Sequence, residues 1–284
     1  MSGVHPSTAA TSTLAAMMWW YASAVLEPAR ALRARGIPVV APPSGDDLHP
    51  MPSPGLGPRF ARQWPSPRLL DSDSEHSHLV TEFEQMAQVY DAFVRPFSTP
   101  IFAEALRILR PMVAPDARAL DAGCGPGREL KEVARLVPRG EVVGIDLAAE
   151  MVTQARASAR ASGLDNTAFA QADVGRLPDD FIAAFDLVYC CLAHHHYPDP
   201  PAAAAAIHRA LRPGGVYAVV DPGPAWFTAS AAPLARESDP GWVSFHTQEQ
   251  FRKLLLDAGF ARVRVHELLP GFLLVLAQRA GHAA

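Results

Sequence analysis

The sequence predicts an α/β fold built on a doubly wound, mostly parallel β-sheet. From Ala117 to residue 279, short apolar segments typical of strands alternate with segments of helical periodicity. This alternation favours a parallel sheet covered by helices on both faces. The first two apolar segments, 117–121 and 141–146, enclose a glycine-rich turn and a short helix. That arrangement is typical of the first βαβ unit of a nucleotide-binding sheet.

The remaining elements follow at short spacing. A helical stretch is predicted over 76–112, where Phe83, Met86, Tyr90 and Phe93 recur at helical spacing. The predicted strands span residues 117–121, 141–146, 167–172, 184–191, 215–221, 261–267 and 271–279. The predicted helices of this region span 127–137, 149–162, 201–211 and 247–258. Before the fifth strand, the run Leu211-Arg212-Pro213-Gly214-Gly215 is expected to stop one helix and direct the next strand.

The segment 221–246 is predicted to be a long loop after the fifth strand. It carries four large aromatic residues, Trp226, Phe227, Trp242 and Phe245. Aromatic walls suit a flat apolar molecule or a cationic sulfur. We therefore expect this loop to line a pocket for the molecule on which the protein acts.

The chain divides into an N-terminal extension, residues 1–75, and a main domain, residues 76–284. Many of the 27 prolines lie in the extension, which is predicted to be proline-rich and partly helical. Its apolar run, 14–26, has no Lys or Arg before it and is too short to span a bilayer. We expect neither a membrane span nor export.

Charge and cysteine content limit the classes of partner and compartment. A net charge of −4 gives no basic surface of the kind that binds nucleic acid, so a nucleic-acid partner is not favoured. The three cysteines, Cys124, Cys190 and Cys191, are odd in number and two of them are adjacent in an apolar run. Such a set makes a poor disulfide framework and indicates a reducing, cytoplasmic location.

The glycine-rich turn has a mechanical explanation. A chain that leaves a buried strand and turns at once into a helix needs positive φ angles and a backbone that a ligand can approach, and Gly123, Gly125 and Gly127 supply both. Asp146 ends the second strand, where a carboxylate reaches a ribose diol. Asp121, before the turn, would repel a pyrophosphate but suits a cation. The spacing D-x-G-x-G-x-G also differs from the dinucleotide pattern G-x-G-x-x-G.

The run Asp121-Ala122-Gly123-Cys124-Gly125-Pro126-Gly127, together with Asp146, resembles the first two motifs of class I S-adenosylmethionine-dependent methyltransferases. The resemblance implies that the glycine turn holds the methionine end of S-adenosylmethionine and that Asp146 binds the ribose hydroxyls. It also implies a Rossmann-like methyltransferase fold, with seven strands of which the last is antiparallel. In that family an acid such as Asp173, after the third strand, accepts from the adenine amino group.

Residues 83–91, with Tyr90 and Asp91, resemble the segment before the core of ubiquinone and menaquinone C-methyltransferases, in which the aromatic residue folds over the cofactor. Tyr90 could equally be a core residue. The residues expected at the cofactor are Tyr90, Asp121, Gly123, Gly125, Gly127, Asp146, Leu147, Met151, Ala172, Asp173, Val174 and Cys190.

The segment after the fourth strand contains the histidines His194, His195 and His196. Small-molecule methyltransferases carry a similar segment that ends in a His pair and Pro-Asp, which His195 and His196 match. A general base drawn from His195 or His194 is one interpretation, because neutral imidazole accepts a hydroxyl proton near neutral pH. The alternative is that these rings only pack. Neighbours on an extended chain point to opposite faces, so no metal site is expected here.

The resemblance implies methyl transfer to oxygen, carbon or nitrogen of a small aromatic or apolar acceptor. Tyr189-Cys190-Cys191-Leu192 is not the N-P-P-Y or D-P-P-Y of adenine and glutamine N-methyltransferases, which argues against DNA or protein amides. The Arg-Asn pair of quinone C-methyltransferases is replaced by Ala193-His194, which favours a specialised metabolite as the acceptor. Two alternatives stay open: a NAD(P)-dependent oxidoreductase, and a non-catalytic or cyclase-type protein of the same fold. The sequence leaves a homodimer open as well.

Overall fold

A computed structural model of the chain describes residues 98–238 and 241–281. The predicted extension, residues 1–75, and the predicted entry segment as far as residue 97, including Tyr90, lie outside the described residues. The described chain opens in helix α1, which runs to residue 109 and is followed by a 3₁₀ turn, Arg110–Met112. This part of the predicted helical stretch 76–112 is confirmed.

The elements that follow form one seven-stranded sheet with helices on both faces. The strands are β1 (Arg118–Ala122), β2 (Glu141–Asp146), β3 (Thr167–Gln171), β4 (Phe185–Cys191), β5 (Leu211–Pro222), β6 (Arg262–Leu269) and β7 (Phe272–Gln278). The helices are α2 (Arg128–Leu136), α3 (Ala149–Ala161), α4 (Pro200–Ala210), α5 (Ala225–Ser238) and α6 (Gln248–Asp257).

The strand order is β3-β2-β1-β4-β5-β7-β6. Strands β1 to β5 are parallel to their neighbours in this group, and β7 is antiparallel to both β5 and β6. The predicted mostly parallel sheet with an antiparallel last strand is therefore confirmed. The order reverses between β1 and β4, and ligands of doubly wound sheets bind at the carboxyl edge beside such a reversal.

Burial explains why the central strands are apolar along their whole length. Two hydrophobic cores, one on each face of the sheet, take alternate residues of β1, β4 and β5. Helices α2 and α3, with α1, cover the face to which Tyr189 points. Helices α4 and α6 cover the face to which Cys190 points. Strands buried on both faces read as continuous apolar runs rather than as an alternating pattern.

Helix boundaries follow from local chemistry. The side chain of Asp199 accepts a hydrogen bond from Ala202 N at 2.9 Å and begins α4, with Pro200 in its first turn. Thr247 and Gln250 form a reciprocal capping box at the start of α6. The Asp199-Pro200-Pro201 run therefore opens α4 beyond the fourth strand, one residue before the predicted start at 201.

Two sequence predictions about the segment around β5 are wrong. The predicted loop 221–246 contains helix α5, although Pro233 lies inside it. Proline removes one helical hydrogen bond, but the Ala-rich flanks keep the rest of the helix. Strand β5 also begins at Leu211 rather than at 215, because the chain keeps pairing with β4 through an irregular register over Arg212–Gly215. Gly214 has φ +82°, which allows this distortion.

Replacing Asp186 by alanine should destabilise the fold. Asp186 is 1% exposed; it accepts from Arg118 N at 2.8 Å and from Arg212 Nη1 at 2.9 Å, and so joins β1, β4 and β5. Removing one partner of a buried charge pair costs about 3 kcal/mol or more. Urea unfolding measures this cost. Asp257→Ala, which breaks an exposed pair with Lys253 on α6, is the matched control and should cost under about 1 kcal/mol. Equal losses in the two variants would contradict this account of Asp186.

Candidate functional site

A cavity of about 540 Å³ opens at the carboxyl edge of the sheet, above β1 to β4. Its walls come from the turns that follow these strands and from the first turn of α4. Pockets of several hundred Å³ at the switch point of an α/β sheet are typical ligand sites. The sequence placed a site at this edge, and the structure brings most of the predicted residues to it.

The predicted cofactor residues that line the cavity share one property, since each lies at the end of a strand or in the turn or helix start that follows it. They are Gly123, Gly125, Asp146, Leu147, Met151, Ala172, Asp173 and Val174. Tyr90 lies outside the described residues. Asp121, Gly127 and Cys190 do not line the cavity.

The glycine turn after β1 is held against the end of β2. Gly123 N and Cys124 N both donate to Ile145 O, at 2.9 and 2.8 Å. Gly123 and Gly125 have φ angles of +92° and +48°, so the predicted left-handed conformations are confirmed. A Cβ added at Gly125 would meet no protein atom within 4 Å. The backbone at Gly125 is therefore open to a ligand.

Asp146 is tied to the same turn. Its Oδ2 accepts from Gly125 N at 2.8 Å, and its Oδ1 accepts from Ala148 N at 3.0 Å. Burial raises the pKa of Asp146, and the main-chain donors at Ala148, Gly125 and Leu147 oppose that rise. Each carboxylate oxygen has two acceptor positions, so Asp146 can still accept hydroxyl hydrogens from a ligand in the cavity.

Asp121 lies beneath the turn rather than at its mouth. It is 2% exposed, and Tyr189 Oη donates to its Oδ2 at 2.9 Å. Burial raises the pKa of Asp121 well above its usual range, while the hydrogen bond from Tyr189 opposes this rise. A direct contact of Asp121 with a cationic ligand, as expected from the sequence, is not supported.

The sequence analysis placed Gly127 and Cys190 at the cofactor, but neither residue lines the cavity. Gly127 directly precedes α2 and has φ +78°. A Cβ at this position would lie 2.9 Å from Ala155 Cβ, so the absence of a side chain allows α2 to approach α3. Cys190 is fully buried on the α4 and α6 face of the sheet. Its neighbour Cys191 lines the cavity instead, because successive residues of a strand point to opposite faces.

Asp173 caps the short 3₁₀ helix Val174–Arg176. Its Oδ1 accepts from Gly175 N at 2.8 Å. Asp173 therefore stabilises this turn, and the residue also lines the cavity. Contact with an adenine group stays a prediction.

Several cavity residues were missed by sequence reasoning. They are Ser98, Cys124, Arg128, Glu129, Cys191, Leu192 and His196. Arg128, in the first turn of α2, contacts Ser98 Oγ of α1 through Nη1. Leu192 has φ +54°, a strained conformation for a non-glycine residue that is often found at functional sites. No periodic pattern marks these positions, because tertiary packing brings them together.

The three histidines form a 3₁₀ turn, His194–His196, and not the extended chain assumed in the sequence argument. His194 is 1% exposed and packs against Tyr197, His246 and Phe251. Burial lowers the pKa of His194 well below its usual range. The structure therefore does not support His194 as a general base. It occupies a core position.

His195 and His196 lie toward the carboxyl edge of the sheet. His195 Nδ1 is 2.7 Å from Asp221 Oδ1, at the end of β5. His196 lines the cavity, and its Nδ1 donates to Gly241 O at 2.9 Å. Of the two histidines predicted as a base, His195 alone has a carboxylate partner. Among the described residues, no group of three or more His, Cys, Asp or Glu side chains is arranged to hold a metal ion.

The aromatic residues of segment 221–246 serve mainly to pack this part of the molecule. Phe227 is 8% exposed and contacts Phe272, and Trp242 contacts Phe245. Trp226 is 53% exposed. None of these residues lines the cavity described above, so the predicted aromatic lining is not seen within the described part of the chain.

Comparison with known proteins gives a match that includes strands β1 to β5. A family model described as a methyltransferase domain matches residues 114–259. The secondary metabolism regulator laeA of Coprinopsis cinerea is 30% identical over 203 residues, which cover 67% of this chain and 48% of that protein. Nocamycin O-methyltransferase of Saccharothrix syringae is 36% identical over 143 residues, half of each chain. The chain thus spans about half the length of these curated relatives.

Solved structures share the same architecture. An S-adenosylmethionine-dependent methyltransferase from Mesorhizobium loti superposes with a TM-score of 0.50 at 25% identity, over 62% of this chain and 98% of that one. Within the described residues, no helix is both long and apolar enough to cross a membrane.

Proposed function

Because the chain belongs to the methyltransferase-domain family, we propose that it transfers a methyl group from S-adenosylmethionine to oxygen, carbon or nitrogen of a small-molecule acceptor. The fold is that of class I S-adenosylmethionine-dependent methyltransferases, and S-adenosylmethionine is the cofactor. When bound, this cofactor supplies an activated methyl group on a sulfonium. The acceptor and the methylated atom are parts of the proposal.

The observation that carries the proposal is the joint placement of Asp146 and Gly125 on the cavity wall. Asp146 is fixed by two main-chain donors and retains acceptor capacity for the ribose hydroxyls. Gly125 exposes backbone beside it, where a side chain would obstruct a ligand. We propose that Asp173 and Val174 contact the adenine and that Arg128 binds the methionine carboxylate, since guanidinium groups match carboxylates in geometry.

The chemistry asked of the protein is mainly positioning. The methyl donor is already activated, so holding the acceptor in line with the methyl group and excluding water accounts for most of the catalysis. A base is needed only where the acceptor atom keeps a proton. We propose His195 for that role, because it is the predicted histidine with a carboxylate partner.

A specialised metabolite is the proposed acceptor class. The relatives named above carry descriptions of secondary metabolism and of nocamycin O-methylation. An aromatic or apolar acceptor would suit the apolar Leu192 and Ala193 on the cavity wall. A reducing, cytoplasmic location fits the three cysteines, which are all free. The net charge of −4 favours a small molecule over nucleic acid.

Incubation with deuterated S-adenosylmethionine tests this function. The full-length protein is mixed with S-adenosylmethionine carrying a CD₃ group and with extracts of small metabolites. We expect products that have gained the labelled methyl group in mass spectrometry, together with S-adenosylhomocysteine. Tight binding of S-adenosylhomocysteine without any labelled product would contradict methyl transfer and favour a non-catalytic or cyclase-type protein.

A further inference from the structure

Leu192 has a main-chain conformation that residues with a side chain rarely adopt. Its φ angle is +54°, in the left-handed region that favours glycine or asparagine. Within residues 98–238 and 241–281, the other non-glycine residue with positive φ is Ala183, which is exposed in the turn before β4. Leu192, by contrast, lines the cavity. Strain of this kind persists where the surrounding structure enforces it, and it is concentrated at functional sites.

Contacts on both sides of Leu192 enforce this conformation. Leu192 N donates to Val220 O of β5 at 2.8 Å, so the chain is still paired with the sheet when it reaches this residue. The next residue, Ala193, packs against the glycine turn, since a Cβ added at Gly123 would lie 2.7 Å from Ala193 Cβ. The chain therefore turns sharply at Leu192 as it passes from β4 to the glycine turn.

The side chain of Leu192 lies between the core and the cavity. It is partly buried, packs against the core on the α2 and α3 face of the sheet, and lines the cavity. Its neighbour Cys191 also packs against this core and lines the cavity. Burial raises the pKa of the Cys191 thiol well above its usual range, so this thiol is uncharged. Cys191, Leu192 and Ala193 thus form a continuous apolar stretch of wall beside the glycine turn.

The carboxylate and guanidinium groups of the cavity wall belong to other elements. They lie in the first turn of α2, at the end of β2, in the turn after β3 and at the cap of α4, and they are Arg128, Glu129, Asp146, Asp173, Arg176 and Asp199. The proposed function assigns three of them to the carboxylate, the ribose and the adenine of the cofactor. It also assigns the glycine turn to the methionine end, which carries the sulfonium. The wall left for the acceptor beside the methyl group is therefore the apolar stretch.

We propose that Leu192 determines acceptor specificity, because its side chain forms the apolar surface against which the acceptor lies beside the methyl group. This inference rests on the proposed function and makes its acceptor class more specific. The acceptor presents an uncharged hydrocarbon or ring face to Leu192, and a carboxylate or other ion is disfavoured there, since burying it against this surface without a partner is costly. Asparagine or glycine would fit the main chain with less strain, so the conformation alone does not account for leucine at this position.

Two substitutions at Leu192 separate the chemistry of the side chain from the shape of the main chain. Asparagine has as many side-chain heavy atoms as leucine and adopts positive φ readily, but it places an amide in the apolar wall. Methionine keeps an apolar side chain of similar volume. The full-length wild type and both variants are incubated with CD₃-labelled S-adenosylmethionine and the same metabolite extract. We expect Leu192→Asn to lower the initial rate of each labelled product about tenfold or more, and Leu192→Met to stay within about threefold of the wild type.

Ala183→Gly is the matched control for main-chain strain. It relieves the positive φ angle of Ala183, which does not line the cavity, so the rates of the labelled products should stay within about twofold of the wild type. The affinity of each variant for S-adenosylhomocysteine, measured by calorimetry, should also stay within about twofold, because Leu192 is assigned to the acceptor and not to the cofactor. If Leu192→Asn does not fold, Leu192→Gly takes its place with the same expected loss of rate, since it also relieves the strain and removes the apolar side chain.

The outcomes separate this inference from the proposed function. If the wild type forms no labelled product, the proposed function fails and the inference fails with it. If labelled products form, but Leu192→Asn forms them as fast as the wild type or Leu192→Met loses as much rate as Leu192→Asn, the assignment of Leu192 is overturned while the proposed function stands. A parallel loss of affinity for S-adenosylhomocysteine in Leu192→Asn would also overturn it, because Leu192 would then be a cofactor contact.

Discussion

Asp146→Ala should lower the affinity for S-adenosylhomocysteine by about a hundredfold. The variant loses the carboxylate that we assign to two ribose hydroxyls, and each hydrogen bond to a charged acceptor contributes roughly 1.5–3 kcal/mol. It also loses the acceptor for Gly125 N, at 2.8 Å, so the glycine turn is no longer tied to β2. Isothermal titration calorimetry measures the change directly.

The control for this variant is Asp180→Ala. Asp180 is an exposed carboxylate of a 3₁₀ turn, Asp179–Phe181, and does not line the cavity. Its loss should leave the affinity within about twofold of the wild type, because exposed charges at a distance are screened by salt. If Asp146→Ala binds as tightly as Asp180→Ala, the ribose assignment is wrong.

Gly125→Ala should lower cofactor affinity by about tenfold or more. Gly125 has φ +48°, and an added Cβ would meet no protein atom within 4 Å. The methyl group would therefore project into the space that we assign to the ligand, and overpacking of a fitted site costs roughly 1–3 kcal/mol. The unfolding free energy should also fall by about 1–2 kcal/mol, because a Cβ is strained in this conformation.

Gly163→Ala is the matched control for the loss of unfolding free energy. Gly163 follows α3 with φ +68°, and a Cβ there would likewise meet nothing within 4 Å. It does not line the cavity. The two variants should lose similar stability in urea unfolding, and only Gly125→Ala should lose affinity for S-adenosylhomocysteine. Equal affinities would show that no ligand approaches the backbone at Gly125.

The sheet and its carboxyl edge could be predicted because their signals are local. Strand limits follow from apolar runs and turn residues, and the parallel arrangement then brings Gly123, Asp146 and Asp173 to one edge. The turn conformation at Gly123 and Gly125 also follows from sequence, since few other residues adopt positive φ. These parts of the prediction depend on short stretches of chain and on one topological rule.

The errors occur where the placement of a side chain or the formation of a helix depends on a single residue or on a tertiary contact. Cys190 and Cys191 are neighbours in one strand, so their side chains point to opposite faces. Cys190 lies in the core and Cys191 lines the cavity. Helix α5 was missed because Pro233 normally argues against a helix. The contact of Arg128 with Ser98 depends on how α1 packs beside α2, for which no local pattern exists.

The pairing of His195 with Asp221 shows the same limit. The two residues are adjacent because β4 and β5 are neighbours and end at the same edge, yet neither residue type indicates its partner. The sequence therefore predicted a histidine base without its carboxylate. It also grouped His194 with His195, and the 3₁₀ turn separates them into a core position and a position paired with Asp221.

The most direct test of the central claim is a pair of calorimetric titrations of the full-length protein, one with S-adenosylhomocysteine and one with NADH. The acid and glycine arrangement at Asp146 and Gly125 predicts that one molecule of S-adenosylhomocysteine binds per chain and that NADH does not compete with it. Binding of NADH at this site, or no binding of S-adenosylhomocysteine, would contradict the account.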